Sequence, residues 1–179
     1  MENKKIFTIP NVLTVARLVF LIPIVHHILH LNRWWALTWI LISIATDNLD
    51  GFIARKFNQK SDLGRVLDPL ADKVNIVVVT AVLAFSTLYD FPLWFFLFCM
   101  TREILVLIGG WMIIQKKHIV SEANRAGKWS AFSTGFMILF FVMDWQPYAW
   151  ILLWITLSLT LLSTWIYYRT YRKTVQSAS

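Results

Sequence analysis

Six apolar blocks follow one another along the chain, at about Val12–Leu31, Trp34–Phe57, Leu63–Leu88, Pro92–Gln115, Gly127–Met143 and Pro147–Tyr168. A helix needs about 20 predominantly apolar residues to cross the hydrocarbon core of a bilayer, and the blocks are close to that length. Turn and cap residues separate them: Asn32, the stretch 58–62, Asp90 with Pro92, the polar run Gln115–Lys128, and Asp144–Pro147. No internal repeat or low-complexity segment interrupts the series. The pattern predicts an all-α integral membrane protein of six transmembrane helices, organised as a single membrane domain over residues 1–179. Ile6–Arg17 mixes apolar and polar residues around Pro10 and Asn11, which predicts a short N-terminal interfacial helix turning into the first span. Arg17 breaks the first apolar run and no small-residue cleavage site follows, so a cleavable signal peptide is not expected.

Composition supports the membrane reading. Of 179 residues, 58% are hydrophobic and 15% charged, and the mean hydropathy is +0.59. Soluble domains carry roughly 45–50% apolar and about 25% charged residues, so the charges here are too few to cover a globule. A disordered chain is excluded by the apolar content, a disulfide scaffold by the single Cys99, and a collagen-like fibre by the count of six glycines.

The net charge is +7. Anionic headgroups attract juxtamembrane Lys and Arg, so in a membrane chain this excess requires no nucleic acid. The basic residues alternate with the connections. Lys4 and Lys5, then Arg55, Lys56, Lys60 and Arg65, then Lys116, Lys117, Arg125 and Lys128, and finally Arg169, Arg172 and Lys173 mark every second connection and both termini. By the positive-inside rule these ends are expected on the cytoplasmic side. Trp34, Trp35, Trp94, Trp129, Trp145 and Trp150 fall near the span ends, where amphipathic rings prefer to sit.

Acid is distributed quite differently. Five of the ten acidic residues lie between Asp47 and Asp72. Asp47 and Asp50 are three apart, and Asp68 and Asp72 four apart, so each pair shares a helix face. The pairs sit at the end of the second block and the start of the third, where antiparallel neighbours would bring them together. Four converging carboxylates repel one another unless something positive neutralises them, and hard oxygen donors favour Mg²⁺, Mn²⁺ or Ca²⁺. Asp62 reads as an ordinary solvated helix-end residue. Gly51 and Gly64 add no bulk beside the acids, and Arg55 offers a planar donor fork suited to phosphate.

The run Asp47-x-x-Asp50-Gly51-x-x-Ala54-Arg55, eight residues, then Gly64-x-x-x-Asp68-x-x-x-Asp72 resembles the motif of the CDP-alcohol phosphatidyltransferase family. Eight specified positions coincide by chance with a probability on the order of 10⁻¹⁰ per starting point. The resemblance implies transfer of a phosphatidyl group from CDP-diacylglycerol to an alcohol, with release of CMP. It implies that Asp47, Asp50, Asp68 and Asp72 hold two divalent cations, Mg²⁺ or Mn²⁺, with Asp72 also the general base. Gly51, Ala54, Arg55 and Gly64 would line the cytidine diphosphate site. It further implies a homodimer in a membrane of the bacterial inner or cell-membrane type, with the active site on the cytoplasmic side.

A second match lies at the N-terminus. Pro10-Asn11-x-Leu13-Thr14-x-x-Arg17 resembles the start of phosphatidylglycerophosphate synthases and of the cardiolipin synthases sharing their fold, which places Asn11, Thr14 and Arg17 near the headgroup phosphates. Asn11 and Thr14 equally suit a helix cap.

The acceptor is less marked. Arg102 lies well inside the fourth block, and Glu103, adjacent on a helix, points elsewhere and does not automatically neutralise it. Arg125 and Lys128 stand at the entry to the fifth. These three are the candidates for an acceptor phosphate. Phosphatidylglycerophosphate synthases typically carry a second Arg after this Arg-Glu pair, whereas Ile104–Gly110 here is uncharged, which is closer to the cardiolipin synthase branch. Glycerol 3-phosphate as acceptor, giving phosphatidylglycerophosphate, is placed first on prevalence, and phosphatidylglycerol as acceptor, giving cardiolipin, second. The competing non-enzyme reading is a cation transporter or channel, which would spread acids through the membrane depth instead of gathering four at one face. His26, His27 and His30 cluster on the first block, away from the acids, and read as packing or interfacial residues.

Overall fold

The computed structural model describes residues 8–56, 62–117 and 125–176, and among them every regular element is an α-helix. The helices are α1 (Ile9–Leu29), α2 (Arg33–Lys56), α3 (Asp62–Phe85), α4 (Leu93–Lys117), α5 (Arg125–Met143) and α6 (Tyr148–Gln176). Each coincides with one apolar block. Lys4, Lys5 and Lys60, which enter the expected topology, lie outside the described residues.

Two ends differ from expectation. No separate interfacial helix precedes the first span within the described residues: α1 runs unbroken from Ile9, with Thr8 as its N-cap accepting from the Asn11 N–H at 3.4 Å. Pro10 sits in the first turn, where its missing N–H costs no helical hydrogen bond and its fixed φ suits the helix, so it starts the helix and introduces no turn. At the other end α6 continues through Gln176, past the end of the sixth apolar block at Tyr168.

The chain divides into two compact units, Met1–Asp90 and Phe91–Ser179. In the first, α1 packs against both α2 and α3. Phe20 meets Trp39 at 5.7 Å between ring centroids and His27 meets Trp35 at 6.2 Å, so α2 runs antiparallel to α1. Thr14 meets Asp68, and the Tyr89 hydroxyl donates to the Ile28 carbonyl at 2.9 Å, so α3 and the turn after it follow α1 in the same direction.

The buried stripe of α1 is Asn11, Thr14, Arg17, Leu21, Ile24 and Ile28, spaced by three and four residues as one helical face requires. Its first half is polar and its second half apolar. The opposite face carries Val12, Val15, Val19 and Ile22, exposed at 56, 51, 54 and 71%. A helix that hides Arg and Thr while exposing Val and Ile has the polarity of a membrane helix, since in lipid the ionisable groups are the ones that must face inward.

In the second unit, α6 lies against α5 and α4. Its buried seam is Ala149, Leu153, Thr156, Thr160 and Ser163, again at three- and four-residue spacing. Ser130 and Thr160 share a hydrogen bond of 2.7 Å, and Ser133 and Thr156 one of 2.5 Å, which sets α5 antiparallel to α6. Trp94 against Trp154 (6.0 Å) and the Tyr167 hydroxyl on the Val106 carbonyl (3.4 Å) set α4 parallel to α6. Each unit is therefore an up-down-up trio of helices.

Among the described residues, two helical segments, Asn11–Leu29 and Tyr148–Arg169, are long and apolar enough to cross a membrane. The apolar part of α5, Gly127–Met143, is shorter. α2, α3 and α4 carry more charge than α1, including Asp47, Asp68, Asp72, Arg102 and Glu103.

Candidate active site

Asp47 of α2 and Asp68 and Asp72 of α3 meet on Arg17 of α1. Arg17 has a side chain only 2% exposed, and its Nη1 donates both to Asp47 Oδ1 and to Asp72 Oδ1, the latter at 2.6 Å. Nη2 stands 3.7 Å from Asp68 Oδ1. One turn earlier on the same stripe, the buried Thr14 hydroxyl donates to Asp68 Oδ1 at 2.6 Å. The aspartate side chains are 45, 43 and 53% exposed for Asp47, Asp68 and Asp72. The guanidinium thus forms the floor of the cluster and the carboxylates its open rim.

The local sequence explains this arrangement. Three-residue steps put Asn11, Thr14 and Arg17 on the inward face of α1, and small buried residues let the neighbours approach: Ser43 and Thr46 on α2, Gly64 and Ala71 on α3. An Arg with five donors in a planar fork can serve several carboxylates at once. Burying such a charge is costly unless it is paired, and here it is paired with residues from two other helices.

The sequence placed Arg17 near headgroup phosphates and left the positive partner of the acids to metal ions. The structure adds Arg17 itself to the cluster. The readable signal was the polar stripe: Asn11, Thr14 and Arg17 share the face of Leu21, Ile24 and Ile28, so that face is inward. Neither Asn11 nor Thr14 is the N-cap of α1; that role falls to Thr8. Asp50, Gly51, Ala54 and Arg55 belong to α2, and their side chains lie outside the described ones. Gly64 is buried on α3.

The donor set suits a hard divalent cation. Carboxylate oxygens from two helices already converge on one cationic group, and their outward sides are accessible. As they stand the oxygens are drawn onto the guanidinium, and among the described residues no three His, Cys, Asp or Glu side chains are arranged around a common metal position.

The acceptor candidates belong to the second unit. Arg102 pairs directly with Glu103, contrary to the expectation that neighbours on a helix point apart. Both side chains are long enough to turn back toward each other across the angle between adjacent positions. Arg102 Nη2 also lies 3.5 Å from the Ser163 hydroxyl of α6, a residue that nothing in the sequence singled out. Lys128 is exposed on α5; Arg125 opens that helix, and its side chain is outside the described ones.

His26, His27 and His30 gather at the far end of α1. The His26 and His30 rings are 4.2 Å apart, and His30 Nδ1 is 2.7 Å from the His26 carbonyl oxygen. Nine residues of helix separate His26 from Arg17, about 13 Å at 1.5 Å per residue, so the histidines play no part in the acidic cluster.

Comparison with known proteins gives the family. The family model described as CDP-alcohol phosphatidyltransferase matches residues 7–162. Among curated relatives, a CDP-diacylglycerol–glycerol-3-phosphate 3-phosphatidyltransferase of Aquifex aeolicus is 36% identical over 132 residues, covering 73% of each chain. A cardiolipin synthase (CMP-forming) of Streptomyces coelicolor is 32% identical over 139 residues, covering 74% of this chain and 64% of its own, just under two thirds. The match takes in α1 with its buried Arg17, both acidic helices and the first half of α6, and the chain belongs to the CDP-alcohol phosphatidyltransferase family.

Proposed function

We propose that the protein transfers the phosphatidyl group of CDP-diacylglycerol to glycerol 3-phosphate, forming phosphatidylglycerophosphate and releasing CMP. The observation that carries this reading is the convergence of Asp47, Asp68 and Asp72, from two helices, on one buried cationic point. A diphosphate donor carries its negative charge where such a cluster would otherwise repel it, so the reaction needs cations between the two. Asp47, Asp50, Asp68 and Asp72 are the residues that would hold divalent ions, Mg²⁺ or Mn²⁺, and these would supply charge neutralisation at the attacked phosphoryl group and the departing CMP.

The remaining roles fall to the chain's own groups. Asp72, the most exposed of the three described carboxylates, is the general base that takes the acceptor's hydroxyl proton. A carboxylate is a weak base, so its contribution depends on close positioning against that hydroxyl. Thr14 holds one oxygen of Asp68 and so fixes the rotamer of that carboxylate. Gly51, Ala54, Arg55 and Gly64 are assigned to the cytidine diphosphate, Asn11 to the headgroup region, and Arg102, Arg125 and Lys128 to the acceptor's phosphate.

All six helices are taken to span the membrane, with both termini and the cluster on the cytoplasmic side, in a homodimer. The alternating directions within each unit and the inverted polarity of α1 support the spanning arrangement. A site at the span ends leaves the diacylglycerol tails in lipid while the cytidine diphosphate head is reached from water.

One observation favours a second acceptor. The seven residues after Glu103, Ile104–Gly110, contain no charge, which suits a lipid acceptor such as phosphatidylglycerol, the reading that gives cardiolipin. The deciding experiment incubates purified protein with CDP-diacylglycerol and, in parallel, glycerol 3-phosphate, phosphatidylglycerol, inositol phosphate or serine, and identifies lipid products by mass. Phosphatidylglycerophosphate is the expected product. Cardiolipin would replace the acceptor assignment, and no product with any acceptor would overturn the reaction.

A further inference from the structure

The geometry points to Arg17 as a built-in counter-ion that holds the acidic cluster together before divalent cations bind and competes with them for the same carboxylate oxygens. The inference rests on the metal assignment proposed above. Arg17 donates to Asp47 Oδ1 and Asp72 Oδ1 through one nitrogen and lies 3.7 Å from Asp68 Oδ1 through another. Each oxygen occupied by an N–H is one that an incoming cation must win. The guanidinium reaches them from the buried floor, at 2% side-chain exposure, while the carboxylates are about half exposed on the opposite side.

Charge balance gives the competition a direction. Three acids from two helices could not remain this close without a positive partner, and Arg17 supplies one from α1. Two divalent cations would by themselves balance four carboxylates. The guanidinium charge would then be in excess until an anionic diphosphate arrived to meet it. Arg17 therefore disfavours cation loading in the absence of donor, and the donor's negative charge lifts that penalty, making the two binding events mutually dependent. Thr14 donates to the same Asp68 oxygen that Nη2 of Arg17 faces.

The test is Mn²⁺ binding followed by electron paramagnetic resonance on full-length protein in detergent, without donor, for wild type, Arg17→Gln and Arg17→Lys. Arg17→Gln is expected to bind Mn²⁺ about tenfold more tightly than wild type, a gain of about 1.4 kcal/mol. Arg17→Lys, which keeps the charge without the fork, is expected between the two. A purely structural Arg17 would leave affinity unchanged or weaken it, and either result overturns the inference. Wild-type protein that binds no Mn²⁺ would instead overturn the metal assignment itself. Phenylglyoxal labelling of wild-type Arg17, read by peptide mass, covers the case in which the variants do not fold. Labelling should rise severalfold when Mg²⁺ is added without donor, and an equal rate with and without Mg²⁺ refutes the competition.

Discussion

The Thr14 hydroxyl donates to Asp68 Oδ1 at 2.6 Å, joining two residues 54 positions apart in the chain. It is a neutral donor on an acid whose other neighbour is a guanidinium. A hydrogen bond to a charged group contributes about 1.5–3 kcal/mol. Thr14→Val keeps the side-chain shape and removes the donor. We expect the metal-free protein to lose about 1–3 kcal/mol of stability, measured by unfolding in detergent. CMP release should fall about tenfold, the equivalent of about 1.4 kcal/mol in the barrier. Thr14→Ser, which retains the hydroxyl, should stay close to wild type in both.

Asp72 is expected to be indispensable in a way that its neighbours on the helix are not. Asp72→Asn removes the base while preserving size. Loss of a general base costs roughly 10²- to 10⁴-fold, and CMP release from CDP-diacylglycerol should fall within that range in protein that still elutes as folded. Asp62→Asn, at the first position of α3, should leave the rate unchanged. Equal losses in both variants would mean that any acid in this region serves, and the role assigned to Asp72 would fail.

Much of the architecture could be read from hydropathy because each apolar block became one helix. Hydropathy does not state which helices are neighbours, however. Asp47, Asp68 and Asp72 were legible as a cluster from spacing alone, but Arg17 could be joined to them only once α1 was seen to pack against both acidic helices. The end of α6 was missed for a different reason. Apolar content drops after Tyr168, yet Lys and Arg are good helix formers, and the Arg169 guanidinium lies 5.1 Å from the Trp165 ring centroid one turn back. The helix continues where the membrane signal stops. The Arg102–Glu103 pair was misjudged because backbone direction was treated as side-chain direction.

Metal should stabilise as well as activate. A ligand that binds only the folded state at about 100 times its Kd adds about 2.7 kcal/mol. Chelation is expected to abolish CMP release, and Mg²⁺ or Mn²⁺ to restore it. Mn²⁺ should also raise the unfolding midpoint of wild type. That rise should be largely absent in Asp68→Asn, which removes one ligand and leaves Arg17 its contacts with Asp47 and Asp72. An equal rise in the variant would place the ion elsewhere.

Arg102 and Glu103 make opposite predictions. If the Arg102 fork holds the acceptor's phosphate, Arg102→Gln should raise the KM for glycerol 3-phosphate at least tenfold and leave that for CDP-diacylglycerol within about twofold; a tenfold change corresponds to about 1.4 kcal/mol. Glu103→Gln should act the other way, because Glu103 now competes for the same guanidinium. The pair is partly exposed, at 20 and 31%, and such pairs contribute up to about 1 kcal/mol. The acceptor KM should therefore fall by at most about fivefold. Steady-state kinetics with each substrate varied in turn separates the cases, and a rise in both KM values on Arg102→Gln would mark a general packing defect.

The hydroxyl pairs between α5 and α6 carry a prediction about assembly. Ser130 with Thr160 and Ser133 with Thr156 lie on a seam that also contains Met137, Leu153 and Ala149, all buried. Lipid is as apolar as these side chains, so burial alone gives little preference for helix pairing, and hydrogen bonds across the seam gain relative weight. Interhelical hydrogen bonds in membranes average about 0.6 kcal/mol and reach about 1.7. Thr160→Val and Ser130→Ala each remove one partner and leave the other hydroxyl unmatched, whereas the double variant removes both. We expect a coupling energy of about 0.6–1.7 kcal/mol from the cycle, measured by unfolding in detergent. Strict additivity would show that the two hydroxyls do not depend on each other.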